Sequence, residues 1–513
     1  MPLAVRRTRQ LGLGLTVPTL RLPTLTVLLV YLLLGSGTLL LYTDPDFWWH
    51  LRTGQLIFDT GAIPKTDPFS FTAAGSRWVA HEWLSDVLIY GVEKGLGYWG
   101  NVLLFTVVAL SALAVMHRLL LKIGVSPRVA LTLVALGGVT SFPYWTVRPQ
   151  AFSWLFAAIF LHTLWLRRID GRTALWPLPL LMLLWANLHA GYVIGLLLVG
   201  LWLLASLGER VLQHKVGSLR VPVLLFLACL AATAVNPNGL ALLAYPFTYL
   251  VPGNASQRFI TEWQSPNFHS PLHWPLAVGI VTLALVGIRG RSWNLFRLAL
   301  GVVFAFMALE SSRHQPLFAL VLMIVLGDAL RELWPRARAE GKAAPPSGAP
   351  ALNWAILASA VVALALVIGR SPNAQLNRSP LVSGLFDYPV EGASFIRNTY
   401  PNVHMFNAYR WGGYLINELY PQQRVFIDGR ADMYGDGLVE EYVRVARLRP
   451  GWREVLTKYD IKLVIIEKDS PLAAALAEAQ DWKLAFSGPV EAVFVRAGTA
   501  EPEPAGGLPP AVP

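Results

Sequence analysis

The densest group of reactive side chains follows the first long apolar segment. Two carboxylates, an imidazole and a guanidinium fall within nine residues, at Asp44, Asp46, His50 and Arg52. A carboxylate can act as a general base toward a hydroxyl group, and two carboxylates can instead hold a divalent cation. Aspartate also caps helices. The Asp-x-Asp spacing therefore leaves a base, a metal site at Asp44 and Asp46, and a helix cap all open.

Other polar side chains recur in the same loop and at the ends of later apolar segments. They are Asp67, His81, Glu82, Arg148, Gln150, Asn187, His189, Glu262, Trp263, Arg313 and His314. Arginine can bind a phosphate through paired N–H donors. Arginine and tryptophan also anchor proteins at bilayer surfaces, so each of these residues has a structural alternative. The functional hypothesis depends on whether the group shares one side of a membrane.

The composition indicates a membrane protein. Of 513 residues, 54% are hydrophobic and only 14% are charged, and the mean hydropathy is +0.48. Soluble proteins are nearer one quarter charged. The composition excludes an ordinary soluble enzyme, and the single Cys229 excludes an intramolecular disulfide. We therefore predict an α-helical polytopic membrane protein in contact with the lipid bilayer.

Hydropathy predicts about eleven membrane-spanning helices. The division between the fifth and sixth is the least marked, because residues 175–205 could also form one long bent helix. The predicted spans are 24–43, 101–116, 128–142, 151–166, 174–187, 190–206, 221–235, 274–288, 298–310, 315–330 and 352–369.

Basic residues predict the orientation. With a cytoplasmic N-terminus at 1–23, the inner segments carry 20 Lys and Arg, whereas the outer loops carry 7 although they are longer. This bias follows the positive-inside rule. The net charge of +11 is thus mainly a topology signal, and we expect no nucleic-acid partner. The first large extracytoplasmic loop is 44–100, within a transmembrane domain at 24–370.

The composition changes after residue 370 to that of a soluble domain. With eleven spans, this domain at 373–498 lies outside the cell membrane, and a tail at 499–513 is predicted to be disordered. Its helices and strands alternate, which predicts a small α/β layer. We predict helices at 389–399, 411–420, 436–447, 450–458 and 470–480, and strands at 402–407, 423–428, 461–467, 482–486 and 490–496.

On this topology the candidate residues fall at one membrane face, which predicts a single extracytoplasmic cavity. Polar residues near bilayer depth tend to mark function. A carboxylate there could deprotonate an acceptor hydroxyl while arginine binds the phosphate of a lipid-linked donor.

The chain resembles the GT-C superfamily of membrane glycosyltransferases in its first span followed by an acidic start of a long loop. It more closely resembles a bacterial group with D-P-D-x-W-W-H-L-x-T-G, here Asp44 to Gly54. The group's I-P-x-T-D-P-F-S-F-T and W-x-x-H-E-W-L motifs follow at Ile63 to Thr72 and Trp78 to Leu84. Its C-terminal W-G-G-Y-L and F-I-D-G-R-x-D-x-Y motifs are also present.

The resemblance implies a GT-C-like fold, a polyprenyl-phosphate-sugar donor, inverting transfer to a glycan, lipid or protein acceptor, and a bacterial inner membrane. Carried over by position, the resemblance implies Asp44 or Asp46 as the catalytic base, and Asp46 is preferred because it lies deeper in the loop, clear of the helix end. Many superfamily members have adjacent acids at this place, whereas here Pro45 separates the two, which leaves the exact base and any metal open. Two alternatives to a transferase are a lipid-linked glycan transporter and a non-catalytic assembly factor whose outer domain recruits a partner.

Overall fold

The computed structural model describes residues 8–10, 16–40, 44–212, 214, 218–250, 254–289, 294–333, 350–370, 382–383 and 386–499. The predicted tail after residue 499, and the last three residues of the first predicted span, lie outside these ranges.

The described residues are mostly helical. Short 3-10 helices connect several of the α-helices. The α-helices are α1 (Leu22–Leu40), α2 (Phe47–Thr60), α3 (Trp83–Lys122), α4 (Pro127–Ser141), α5 (Gln150–Asp170), α6 (Pro177–Leu188), α7 (Tyr192–Leu212), α8 (Arg220–Thr233), α9 (Ala255–Phe259), α10 (Trp274–Arg289), α11 (Leu295–Glu310), α12 (Gln315–Leu333), α13 (Pro350–Arg370), α14 (Val390–Thr399), α15 (Gly412–Leu419), α16 (Ala431–Ala446), α17 (Trp452–Lys458) and α18 (Pro471–Ala477).

Each of the eleven predicted spans overlaps a helix of the described chain. Three helical segments of the described chain are long and apolar enough to cross a membrane, at Trp83–Lys122, Tyr192–Leu212 and Ser312–Glu332. Five other apolar helices are shorter than that, so the count of eleven spans stays a prediction. The stretch at 175–205 forms two helices, because α6 ends at Leu188 and α7 begins at Tyr192.

The first predicted loop contains helical structure. Helix α2 fills residues 47–60, and α3 begins at Trp83, well before the predicted span at 101–116. At Gly97 the backbone of α3 has φ +66° and ψ −172°, which breaks the helical geometry and suits a residue without a Cβ. The segment before this kink carries Asp86 and Glu93, whereas the longer segment after it contains no acidic residue.

Helix α12 lies at the centre of the helical bundle. Its residues from Leu317 to Leu326 are all buried, and it packs against α4 and α11. A helix that is apolar all round must be covered by other helices. The packed helices therefore support the loops at the polar end of the bundle.

The C-terminal residues form a small α/β layer, as predicted. In chain order, the strands of the described residues are β1 (Thr8–Gln10), β2 (Thr16–Pro18), β3 (Val382–Ser383), β4 (Phe386–Asp387), β5 (Met405–Asn407), β6 (Leu463–Glu467), β7 (Trp482–Ser487) and β8 (Glu491–Arg496). Strands β5 to β8 belong to the C-terminal layer. The main sheet has the order β5-β6-β8-β7, in which only the β5–β6 pair is parallel. β1 with β2, and β3 with β4, form two separate pairs.

The predicted strand at 423–428 is wrong. This segment pairs with the first loop and not with the sheet: the Val425 N–H donates to the Phe69 carbonyl, and the Phe71 N–H donates to the Val425 carbonyl, at 3.1 Å each. The Asn407 side chain accepts the Phe426 N–H at 2.8 Å. Extended backbone pairs with whatever partner lies beside it, and here that partner comes from a segment more than 350 residues away in sequence.

A buried arginine joins the C-terminal layer to the first loop. Arg430 donates to Asp67 at 2.9 Å and to Asp428 at 2.6 Å, and its guanidinium lies 4.6 Å from the centre of the Trp78 ring. All three charged side chains are at most 2% exposed. Burial makes this group sensitive to the loss of any member, because an unpaired buried charge is costly.

We predict that Arg430→Gln destabilises the protein by about 3–5 kcal/mol, because it leaves Asp67 and Asp428 buried without a counter-charge. Thermal unfolding of the full chain in detergent measures this. The control is Arg453→Gln, which breaks an ion pair with Asp481 whose partners are each about half exposed. Its expected cost is below about 1 kcal/mol. Equal shifts in the two variants would contradict the structural role of Arg430.

Candidate active site

A cavity of about 490 Å³ lies between the polar end of the helical bundle and the C-terminal layer. Its walls come from the first loop, the α4–α5 connection, the turn after α6, the segment at 259–263, the start of α12 and the C-terminal layer. The predicted site residues that line it are Asp44, Asp46, His50, His81, Glu82, Arg148, Gln150, His189, Glu262, Trp263 and Arg313. The predicted convergence into one cavity therefore holds for eleven of the fifteen residues.

Arg148 contacts three carboxylates of the cavity. Its guanidinium lies 2.7 Å from Asp46 Oδ2, 3.1 Å from Glu262 Oε2 and 3.7 Å from Asp44 Oδ2. The carboxylates come from the first loop and from the segment after α9, so one guanidinium connects elements that are distant in sequence. Planar Arg–carboxylate pairs of this kind fix orientation as well as charge.

The two aspartates differ in their surroundings. Asp44 is buried and accepts hydrogen bonds from the Asp46 N–H at 2.9 Å and from Thr146 Oγ1 at 2.7 Å. Burial raises the pKa of Asp44 to about 6, against the opposing effect of Arg148. Asp46 is only partly buried and lies at the start of α2 without capping it through its side chain. Asp46 is therefore the more accessible of the two carboxylates.

Glu262 connects Arg148 to a second arginine. Arg313 NH1 lies 3.3 Å from Glu262 Oε1, and its guanidinium lies 4.8 Å from the centre of the Trp263 ring. The pKa of Glu262 is lowered, because the two arginines outweigh the effect of burial. Ser311 holds the backbone of Glu262 in place, because its hydroxyl donates to the Glu262 carbonyl at 3.1 Å.

Glu82 lies among three histidines. Its carboxylate oxygens are 3.4 Å from His50 Nε2, 3.5 Å from His81 Nε2 and 3.3 Å from His189 Nε2. Burial disfavours its charge, but His81 and then His50 lower the pKa of Glu82 well below the ordinary value. Glu82 therefore stays ionised and fixes the orientation of the three rings.

His50 and His81 are set up to carry a charge. His50 Nδ1 lies 2.6 Å from Asp86 Oδ1, and His81 Nδ1 lies 3.1 Å from the Val79 carbonyl. Burial opposes protonation in both rings. The carboxylates of Asp86 for His50, and of Glu82 for His81, outweigh it and raise the pKa of both histidines. Each ring then donates from both nitrogens to acceptors.

His189 is the neutral member of this group. Its Nδ1 accepts the Gly191 N–H at 2.8 Å, and Ser153 Oγ lies 2.7 Å from the same nitrogen. Ser153 Oγ itself accepts the Trp185 indole N–H at 2.8 Å, so its own proton is directed to His189. The ring proton is consequently on Nε2, facing Glu82. Burial lowers the pKa of His189 to about 3.

Four predicted site residues point away from the cavity. Arg52 donates to the Tyr420 carbonyl at 2.6 Å, and Asp67 pairs with Arg430. Asn187 accepts the Trp83 indole N–H at 2.9 Å, and His314 Nδ1 lies 3.2 Å from the Met307 carbonyl. These four residues support the walls and do not line the cavity, so their assignment to donor or acceptor binding stays a prediction that this cavity does not support.

Sequence analysis missed the part of the cavity that the C-terminal layer supplies. Tyr409, Arg410, Gly413, Gly429 and Asp432 line the cavity beside Arg430. The two C-terminal motifs contain or adjoin most of these positions, and that was the available signal. A Cβ on Gly413 would lie 2.6 Å from the Pro45 carbonyl, so the C-terminal backbone touches the first loop directly.

The predicted metal site does not fit the geometry of Asp44 and Asp46. Arg148 lies against both carboxylates and against Glu262, where its positive charge would oppose a bound cation. Among the residues that the structure describes, no group of three or more His, Cys, Asp or Glu side chains is arranged to hold a metal ion. We therefore interpret Asp44 and Asp46 as partners of Arg148 and not as metal ligands.

No known family and no curated protein matches the sequence. Among solved structures, ArnT from Cupriavidus metallidurans bound to undecaprenyl phosphate is similar at 14% identity, with a TM-score of 0.48, over 93% of this chain and 98% of that one. The arabinofuranosyltransferase AftD from Mycobacteria is similar at 12% identity, with a TM-score of 0.45, over 92% of this chain and 39% of that one. These superpositions are too loose to carry an argument, so the function is argued from the cavity.

We predict that His189 makes the protein less stable in acid. Its pKa of about 3 is below the ordinary 6.5, so the unfolded chain binds the extra proton between these values. Stability attributable to His189 is present above pH 6.5 and falls as the pH drops toward 3. At pH 5 the loss is about 2 kcal/mol relative to pH 7.

Thermal unfolding of wild type and His189→Asn between pH 7 and pH 5 measures this loss. As the pH falls, the thermal midpoint of His189→Asn is expected to rise relative to that of wild type. Exposed His269→Asn is the matched control. A constant difference between wild type and His189→Asn at all pH values would contradict the neutral buried state of His189.

Proposed function

We propose that the protein is a membrane glycosyltransferase that moves a sugar from a polyprenyl-phosphate donor to a hydroxyl acceptor. The observation that supports this most directly is the pairing of Asp46 with Arg148 at the wall of the cavity. A carboxylate fixed by one oxygen can receive a proton on the other. Arginines that can meet a phosphate line the same cavity.

Asp46 is the proposed general base. Arg148 holds its Oδ2, and no hydrogen bond to Oδ1 is found from the described residues. The oxygens of Asp44, in contrast, accept the Asp46 N–H and the Thr146 hydroxyl, so Asp44 positions the neighbouring groups. This division of roles rests on accessibility and matches the preference drawn from the sequence.

In the proposed reaction, the acceptor oxygen attacks the anomeric carbon of the donor. A carbon–oxygen bond forms there, and the bond from the same carbon to the phosphate oxygen breaks. The acceptor's proton passes to Asp46, and the bonding electrons leave with polyprenyl phosphate. Attack from the side opposite the leaving group inverts the anomeric carbon.

The leaving phosphate needs a positive partner that the carboxylates do not already saturate. Arg148 contacts three carboxylates, whereas Arg313 contacts Glu262 through NH1, and Arg410 contacts Glu467 through Nε at 2.8 Å. Arg313 and Arg410 both line the cavity. We assign the donor phosphate to these two arginines, because a charge-assisted pair is strongest with a cation that is not already neutralised.

The proposed setting is a bacterial inner membrane. The apolar helices would face the lipid chain of the donor. The excess of Lys and Arg in the segments predicted to be cytoplasmic supports a cavity and a C-terminal domain outside the cytoplasm. The division into a transmembrane domain at 24–370 and an outer domain at 373–498 belongs to this proposal.

We predict that Asp46→Asn lowers kcat for sugar transfer by about 10²- to 10⁴-fold, because it removes the general base. Asp44→Asn is expected to lower kcat less, since Asp44 acts through its neighbours. The assay is release of polyprenyl phosphate from a panel of polyprenyl-phosphate sugars by the purified full chain in detergent. Thermal unfolding of each variant accompanies it.

The control for these variants is Asp170→Asn, because Asp170 is exposed and bonds only to the adjacent Arg172 and Thr173. It should retain wild-type turnover. If no donor turns over, yet donor binding is saturable and unaffected by either substitution, the transferase proposal is wrong. That result would favour the transporter or the assembly factor.

A further inference from the structure

The indole N–H of Trp49 is a buried donor without an acceptor in the described chain. Trp49 is 7% exposed and borders the cavity. A buried tryptophan usually finds a partner for this group, and an unpaired one costs free energy comparable to a lost hydrogen bond. In contrast, Trp83 donates to Asn187 and Trp185 donates to Ser153. The unpaired donor at Trp49 therefore requires an explanation.

Trp49 Nε1 and Asp46 Oδ1 both lie against Gly429, at the edge of the cavity that all three residues line. A Cβ placed on Gly429 would collide with Asp46 Oδ1 and would lie 3.3 Å from Trp49 Nε1. Both atoms therefore lie directly above the Gly429 backbone, where only a residue without a side chain fits. Gly429 belongs to the C-terminal layer, whereas Asp46 and Trp49 belong to the first loop, so the two parts of the chain meet at this edge of the cavity.

The two atoms have complementary requirements. Trp49 Nε1 needs an acceptor, and Asp46 Oδ1 can only accept. A phosphate oxygen would satisfy the indole but would be repelled by the carboxylate, and an ammonium group would satisfy only the carboxylate. A hydroxyl group both donates and accepts, so it satisfies both atoms at once.

We propose that Trp49 Nε1 and Asp46 Oδ1 together bind the reacting hydroxyl group of the acceptor, above Gly429. This deepens the proposed function and rests on it, because it adds Trp49 as the residue that positions the nucleophile for deprotonation. The hydroxyl donates its proton to Asp46 while its oxygen accepts the indole N–H. The Gly429 backbone covers the nitrogen in this structure, so binding requires that backbone to move outward.

The kinetic test compares Trp49→Phe with Trp83→Phe. Trp49→Phe removes the N–H and retains an aromatic ring. With water as the nucleophile, it is expected to lower kcat for donor hydrolysis about tenfold without changing the donor KM. It should lower the thermal midpoint less than Trp83→Phe does, because both variants lose the same side-chain volume but only Trp83→Phe also breaks an internal hydrogen bond. Trp83→Phe loses a donor that has an acceptor within the protein, so it should lower the thermal midpoint and retain kcat.

The binding test uses wild-type protein in nanodiscs with ¹⁵N-labelled tryptophan. Octyl β-D-glucoside carries four hydroxyl groups, and its fully O-methylated form carries none. The Trp49 indole resonance, assigned by its absence in Trp49→Phe, should shift saturably with the first probe and not with the second. This arm needs no turnover, so it is informative even if the proposed transferase activity is absent.

Two results would overturn the hydroxyl site. One is unchanged kcat in Trp49→Phe, or a thermal midpoint that falls as in Trp83→Phe, which would show an internal partner for the N–H. The other is a Trp49 resonance that responds to both probes or to neither. Absence of wild-type turnover with every donor would instead count against the proposed function, and the binding arm would then decide the hydroxyl site alone.

Discussion

The cavity depends on the neutralisation of buried carboxylates that are held close together. Asp44, Asp46 and Glu262 are all within 4 Å of the Arg148 guanidinium. Without that cation, three like charges in a partly dry space would repel one another, and the carboxylates would take up protons or move apart. Arg148 enters from the α4–α5 connection, so the position of the helical bundle determines the geometry of the loop acids.

The same constraint extends to the C-terminal layer through another arginine, which is buried. Arg430 neutralises Asp67 of the first loop and Asp428 of its own segment. Close backbone contacts reinforce this pairing, because Gly413 and Gly429 lie directly on Pro45 and Asp46. The C-terminal layer thus forms one wall of the cavity, and the helices alone do not complete the site. Loss of its docking would expose Asp46 to water.

Hydropathy and sidedness predicted the helices and the shared location of the polar groups, because both follow from local composition. Side-chain direction was not predictable in the same way. His50 and Arg52 are two residues apart, and such residues do not share a face of a helix. In α2, His50 faces Glu82 and Asp86, whereas Arg52 reaches Tyr420 of the C-terminal layer. The mispredicted strand at 423–428 likewise depended on a partner in the first loop.

The ion pairs of the cavity distinguish two proposed roles for arginine, which are neutralising the carboxylates and binding the donor phosphate. The sequence alone could not say which arginine has which role. Arg148 cannot leave its three carboxylates for a phosphate without exposing like charges to one another. Arg313 and Arg410 contact one carboxylate each, from α12's N-terminal side and from the C-terminal layer. In the proposed function, Arg148 therefore maintains the base, and the donor phosphate binds where the helical bundle and the C-terminal layer each contribute a cation.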